Sequence, residues 1–250
     1  MIHSFLLIGQ SNMAGRGFLN EAIPVDKSRI YTLRMGRWQK MFRPINPDRS
    51  FSGVNLAESF AESYARKHDV DVGLICCADG GTTIDQWMPG TLLYDNAVYN
   101  ARLAQRTSTV AGILWHQGES DCTNDRYPVY KENLLKMLRQ LRADLGLEEV
   151  PILIGGLGDY LTQCPRIEWQ FRQYYALINE SLRSVAAELP LGGFVSAEGL
   201  TSNPDYLHFN ARSLHEFGLR YFDEYEKLCP NGIPSDSIKS DTRRTAMEQL

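Results

Sequence analysis

The apolar run Leu6-Leu7-Ile8 breaks at Gly9 into Gln10-Ser11-Asn12-Met13-Ala14-Gly15, which places Ser11 at the carboxyl end of what reads as a buried strand. A serine hydroxyl is a weak nucleophile until a base removes its proton, so chemistry at Ser11 requires an imidazole and a group to orient it. Near the other end of the chain, Asp205-Tyr206-Leu207-His208 supplies both. A carboxylate three residues before an imidazole can share its loop turn and accept the Nδ1 proton, leaving Nε2 free to face the serine. Asp205 is thus the first choice of orienting acid, and Glu119, in Trp115-His116-Gln117-Gly118-Glu119-Ser120-Asp121, is its rival. A serine after a strand commonly serves only to cap the next helix. What distinguishes Ser11 is the other polar loops that the topology should bring to it.

Those loops depend on the elements between them. His3 to Ile8, Val72 to Cys76, Val110 to Trp115, Ile152 to Gly155 and Gly193 to Ala197 are short apolar runs without strict alternation, as expected of parallel strands covered on both faces. Val54, Ala57, Phe60, Ala61, Tyr64 and Ala65 repeat at helical spacing, as do Tyr130, Leu134, Met137, Leu138, Leu141 and Leu145. Further helices are expected over Leu92 to Gln105, Glu168 to Leu189 and Ala211 to Leu228. The alternation predicts an α/β fold, a three-layer doubly wound parallel sheet of about five strands. Residues 1–229 read as one domain, with a hairpin inserted around 29–41, and the polar segment 230–250 reads as a flexible tail.

In such a sheet ligands bind beyond the carboxyl ends of the strands. The loops there are Gly9 to Asn12, Ala78-Asp79-Gly80-Gly81-Thr82-Thr83-Ile84-Asp85-Gln86-Trp87, His116 to Asp121, and Asp205 to His208.

With 250 residues, 43% of them hydrophobic, the chain can bury a full core, and a net charge of -4 offers no basic field for nucleic acid. Its apolar runs fall well short of the roughly 20 residues that span a bilayer, which predicts no membrane partner. The sequence enters its first strand directly after Met1, without the charged and apolar regions of a signal peptide, and this predicts a cytoplasmic location. Cys76, Cys77, Cys122, Cys164 and Cys229 are odd in number and lack CxxC spacing, so reduced thiols are expected rather than disulfides or a zinc site.

Gly9 to Gly15, Gly80-Gly81-Thr82, Trp115 to Asp121 and the Asp-x-x-His pattern ending at His208 occur in the order that resembles the SGNH hydrolase superfamily, whose fold is flavodoxin-like. Within it the sequence looks most like the branch of sialate O-acetylesterases and acetyl xylan esterases, carbohydrate esterase family six. The resemblance covers roughly residues 3 to 220, and it departs at Tyr206, where relatives carry glycine. It implies Ser11 as nucleophile, His208 as general base, no metal or organic cofactor, and an acetyl ester of a small molecule or oligosaccharide as substrate. A developing oxyanion needs donors aimed at it: the N–H groups of Ser11 and Gly80 suit the task, and the superfamily pattern adds a side-chain amide, here Gln117 with Asn12 as the weaker candidate.

Arg16 could pair with a sugar carboxylate and Trp87 could stack on a pyranose face, and these with Asn12 form the expected substrate contacts. Trp115 reads as core, His116 and His215 as structural or surface groups, and Asp79, Asp85 and Asp121 as holding loop backbones. Two alternatives stand beside a carbohydrate acetylesterase. A lipase-like or thioesterase activity would need a long apolar groove, and a silent carbohydrate-binding domain would not need Ser11, Asp205 and His208 together.

Overall fold

The computed structural model describes residues 1–166 and 170–232. In chain order it contains β1 (Ile2–Gly9), α1 (Ser11–Ala14), β2 (Ile30–Arg34), β3 (Arg37–Lys40), α2 (Ala57–His68), β4 (Asp71–Cys76), α3 (Leu92–Ala104), β5 (Thr109–His116), α4 (Tyr127–Leu145), β6 (Ile152–Gly155), α5 (Phe171–Glu188), β7 (Gly192–Val195) and α6 (Ala211–Leu228). The five expected strands form within a residue or two of their apolar runs. The tail expected from 230 lies, from 233 onward, outside the described residues.

The strands make one sheet in the order β3-β2-β4-β1-β5-β6-β7, parallel throughout except for the β2–β3 hairpin. The hairpin expected at 29–41 is therefore part of the sheet: β2 pairs with β4, raising the strand number from about five to seven. Its edge position explains why no apolar run announced it. Half-exposed strands carry side chains such as Arg34, Arg37 and Lys40 in place of continuous Val and Ile.

β1 lies at the centre, and from Phe5 to Ile8 it is wholly buried because helices cover both faces. On one side Phe5 meets Phe60 and Tyr64 of α2, each edge-on with ring centroids 4.8 Å apart, and Tyr225 of α6 at 5.7 Å. α3, α4 and α5 pack side by side elsewhere on the sheet. Helix ends follow local rules. The Asn210 side chain accepts the Ser213 N–H at 2.9 Å to cap α6, and α4 starts with Pro128 and stops at Gly146 in a left-handed conformation. α2 begins only at Ala57, so Val54, expected on its apolar face, instead bridges to Gly17.

The chain leaves β1 toward β2 on one side and leaves β5 toward β6 on the other, so the seam between β1 and β5 is the topological switch point. Gly9 pairs with His116 there, and its φ of +132° with the His116 oxygen 2.1 Å from where a Cβ would sit makes glycine obligatory. Gln10 N–H donates to the same His116 oxygen at 2.9 Å, closing the seam just before Ser11.

Among the described residues no helix is long and apolar enough to cross a membrane, and no group of His, Cys, Asp and Glu could hold a metal ion. All five cysteines are free thiols.

The α2–α6 contact depends on Gly218, where a Cβ would lie 2.0 Å from the Leu56 carbonyl oxygen and 2.2 Å from Ser59 Oγ. Gly218→Ala should therefore destabilise the protein by about 2 kcal/mol through overpacking, read as a lower urea midpoint. An unchanged midpoint would show that α6 does not press on α2 as described.

Candidate active site

The four loops expected at the carboxyl edge do meet. Ser11 opens α1 directly after β1, and its Oγ lies 3.0 Å from Nε2 of His208, on the loop that precedes α6. Nδ1 of His208 lies 2.6 Å from Oδ2 of Asp205. The other Asp205 oxygen accepts the N–H groups of Leu207 at 2.9 Å and His208 at 3.0 Å, so one carboxylate both shapes the loop and holds the ring. Burial alone would raise the Asp205 carboxyl, but these bonds outweigh it and bring the group down to about 2. Asp205 therefore stays ionised at neutral pH, facing the His208 Nδ1 as a carboxylate.

Tyr206, at the position where the resembled family has glycine, sits in the left-handed region with φ +52°. Its N–H still donates to the Asn203 oxygen at 3.1 Å, and its side chain is 41% exposed. The loop thus accepts a tyrosine without turning the Asp205 carboxylate away, at the cost of backbone strain.

Several residues expected at the site are near it but otherwise engaged. Glu119 is buried and does not reach His208: its Oε1 accepts from Asn12 Nδ2 at 2.5 Å and lies 3.3 Å from His116 Nε2. Burial favours the neutral acid, yet His116 and Asn12 hold the Glu119 carboxyl below its ordinary value. Asn12 is likewise buried, with both amide hydrogens given to Glu119 and to the Leu207 oxygen in place of the substrate contact expected of it.

Gln117 is no better placed as an oxyanion donor. Its Nε2 shares two hydrogens among Asp121 Oδ2 at 2.5 Å, the Thr82 oxygen at 3.0 Å and Gln10 Oε1 at 3.2 Å, which makes it a knot between loops. Gly80 does lie beside Ser11, but its N–H is taken by Asp48 Oδ2 at 2.9 Å. The Ser11 N–H, first in its helix, has no acceptor among the described residues, and neither has the Nε2 of Gln10, whose Oε1 is held by Gln117 and the Ser120 N–H.

Arg16 and Trp87 are corrections of the same kind. The Arg16 guanidinium is buried in a two-pronged pair with Asp48 at 2.9 and 2.7 Å, which neutralises its charge, although the residue also lines the cleft beside His208. Burial raises the Asp48 carboxyl, and Arg16, Ser52 and the Gly80 N–H together outweigh it, leaving it below its usual value. Trp87 is 1% exposed, stands edge-on to Trp115 at 5.6 Å and donates to Thr82 Oγ1 at 3.0 Å, so it braces the β4 loop from beneath. Of the loop aspartates only Asp121 binds a backbone N–H with its carboxylate, that of Ile84 at 3.0 Å, and burial pushes its own carboxyl up to about 6. Asp79 pairs with Arg49 and Asp85 accepts from Asn133.

A cleft of about 640 Å³ opens beside His208 and Asp205. Its walls include Phe18, Phe51, Asn203 and Arg166, none of which stood out in the sequence. Phe51 is 67% exposed, and Arg166 is exposed with no carboxylate paired to it among the described residues. Asp48 was equally unmarked. The only signal for it was that a buried Arg16 would need a counter-charge.

Asp205→Asn should lower kcat on a simple acetate ester by ~10⁴-fold, as wrong-tautomer substitutions do, and by more than Glu119→Gln. Steady-state kinetics on the two variants checks it, and the reverse order would make Glu119 the orienting acid. Tyr206→Gly should raise stability by about 1 kcal/mol by relieving the left-handed tyrosine, read by denaturant titration. A loss of stability would show that the tyrosine side chain more than offsets its strain.

A family model described as "SASA: Carbohydrate esterase, sialic acid-specific acetylesterase" matches residues 1–227. The chain is 28% identical over 249 residues to the probable carbohydrate esterase At4g34215 of Arabidopsis thaliana, covering 88% of this chain and 89% of that protein. The crystal structure of the Arabidopsis protein superposes with a TM-score of 0.80 at 26% identity, over 90% of this chain and 98% of that one. NanS, at 16% identity with a TM-score of 0.72, covers 90% of this chain and 97% of its own. XAC1771, a carbohydrate acetylesterase from Xanthomonas citri, has 20% identity and a TM-score of 0.65, covering 91% of this chain and 56% of its own. These last two likenesses show the shared fold alone. Because the family model takes in β1 through α6 and every loop that meets at Ser11, the chain belongs to the sialic acid-specific acetylesterase family of carbohydrate esterases, the SGNH hydrolase branch that its motifs resemble.

Proposed function

We propose that this protein is a serine esterase that removes O-acetyl groups from an acidic sugar, the sialic acid type named by its family, through an acetyl-enzyme. The observation that carries the reading is the unbroken chain from Ser11 Oγ to His208 Nε2 at 3.0 Å and from His208 Nδ1 to Asp205 at 2.6 Å. Ser11 Oγ attacks the acetyl carbonyl carbon while His208 Nε2 takes the hydroxyl proton, and Asp205 stabilises the imidazolium. The carbonyl oxygen, now negative, is met by the Ser11 N–H, with Gln10 Nε2 as the side-chain donor in place of Gln117. Collapse breaks the ester bond, and His208 returns its proton to the departing sugar oxygen. Water then adds to the acetyl-serine with His208 again as base, and acetate leaves. No step calls on a cofactor.

The cleft supports the substrate class. Arg166 offers a guanidinium with no carboxylate partner among the described residues, the part first assigned to Arg16, and the exposed Phe51 ring replaces Trp87 as the face on which a pyranose can lie. A long acyl chain finds less support, since Ser11 is 6% exposed and the cleft runs along the His208 loop, where the leaving group would sit.

Ser11→Ala should abolish hydrolysis of a small activated acetate ester with an unchanged circular dichroism spectrum, a loss of many orders of magnitude. Retained turnover would remove Ser11 from the mechanism. Among esters of one alcohol, acetate should be cleaved far faster than octanoate, and a preference for octanoate would move the reading to a lipase-like enzyme. Arg166→Gln should raise KM for O-acetyl sialic acid about 10-fold more than for an acetylated xylo-oligosaccharide, as expected for one charge-assisted contact. An equal effect on both would separate Arg166 from carboxylate recognition.

A further inference from the structure

Asn12 follows the nucleophile, yet its side chain is spent on the base. Its Oδ1 accepts the Phe209 N–H at 3.0 Å and its Nδ2 donates to the Leu207 oxygen at 3.2 Å. Those are the two peptide groups on either side of His208. One amide thus grips the backbone before and after the imidazole, as a neighbouring strand would, and ties it to the residue bonded to Ser11. The second Nδ2 hydrogen goes to Glu119 Oε1 at 2.5 Å, which fixes which end of the amide is the donor. Asn12 is 1% exposed and Glu119 likewise, so water cannot substitute for these bonds.

We propose that Asn12 is the positioning residue that sets the distance between Ser11 and His208, and that Glu119 holds the Asn12 amide in the orientation this requires. The inference rests on the serine-esterase reading above and adds the device by which two residues 197 apart in sequence are kept 3.0 Å apart in space. Among the described residues, apart from the Ser11–His208 contact itself, the other tie across this junction is Asn203, which donates from Nδ2 to the Arg16 oxygen at 2.9 Å and from its N–H to the His208 oxygen at 2.7 Å. Glu119 therefore acts through Asn12 and not on the imidazole.

The test is Asn12→Ala in the full chain, assayed on a small acetate ester well below its melting temperature, with Ser11→Ala alongside. We expect kcat to fall about 10²-fold, the effect of an ångström-scale misplacement, with KM within about twofold of the parent. The low-field proton resonance of His208 Nδ1–H should shift or broaden. Glu119→Gln, whose side-chain oxygen can still accept from Asn12, should retain more kcat than Glu119→Ala. Asn12→Ser takes the place of the alanine variant if the latter is not recovered folded. A raised KM with unchanged kcat would make Asn12 a substrate contact, and a kcat loss that follows the folded fraction with an unmoved His208 resonance would make it a general brace; either overturns the proposal. If instead Ser11→Ala stays active, the esterase reading fails, while the His208 resonance still reports on the clamp.

Discussion

A buried amide or carboxylate loses about 1–3 kcal/mol for each bond it cannot make, and at the carboxyl edge of this sheet that requirement ties the loops to one another. Gln117 Nε2 has a partner in its own loop, Asp121, and also reaches Gln10 in the β1 loop and the Thr82 oxygen in the β4 loop. Asn12 does the same toward the His208 loop, and Tyr130 of α4 closes the set by donating to the Gln117 oxygen at 2.7 Å. Several of the residues that the motifs single out are engaged in bonds that join one loop to another. These bonds also place Ser11 and His208 on separately braced loops, so their contact does not depend on either loop being rigid alone.

Charge is arranged with the same economy. Arg16 and Asp48 neutralise each other below the surface, fix the chain after α1 to the turn at 46–52, and take up the Gly80 N–H. A pair so buried contributes little net stability, but losing one partner would leave an uncompensated charge near Ser11. Asp205 stands at the opposite extreme. It is half-exposed, held by two backbone N–H groups and the imidazole, and its low pKa keeps it charged throughout the range in which an esterase works. Arg166 and Arg16 both line the cleft; Arg16 is paired with Asp48, and Arg166 has no carboxylate paired to it among the described residues.

The His208 loop shows how geometry tolerates a departure from a family pattern. The resembled pattern has glycine where this chain has Tyr206, and a φ of +52° is a conformation that favours glycine. The conformation, and not the residue, is what the Asp-x-x-His turn demands. The two N–H bonds to Asp205 supply enough stabilisation to hold a tyrosine there.

Much of this was legible in the sequence, and for identifiable reasons. Parallel strands buried on both faces are unbroken apolar runs, so five strands could be read from one dimension, and the placing of Ser11 at a strand end followed from the break at Gly9. The Asp205–His208 pairing was legible because three residues of covalent chain deliver it. The hairpin strands showed only as a hairpin, since edge strands lack the apolar signature that would have assigned them to the sheet. The hydrogen-bond partners of Asn12, Gln117, Arg16 and Trp87 were not legible, because a polar or aromatic loop residue can face solvent or neighbour, and only the packing of loops distant in sequence decides which. Residue types and local spacing determined which groups could react. The tertiary structure decided which of them were left free to do so, because every hydrogen bond spent on holding the loops together is one that cannot be offered to a ligand.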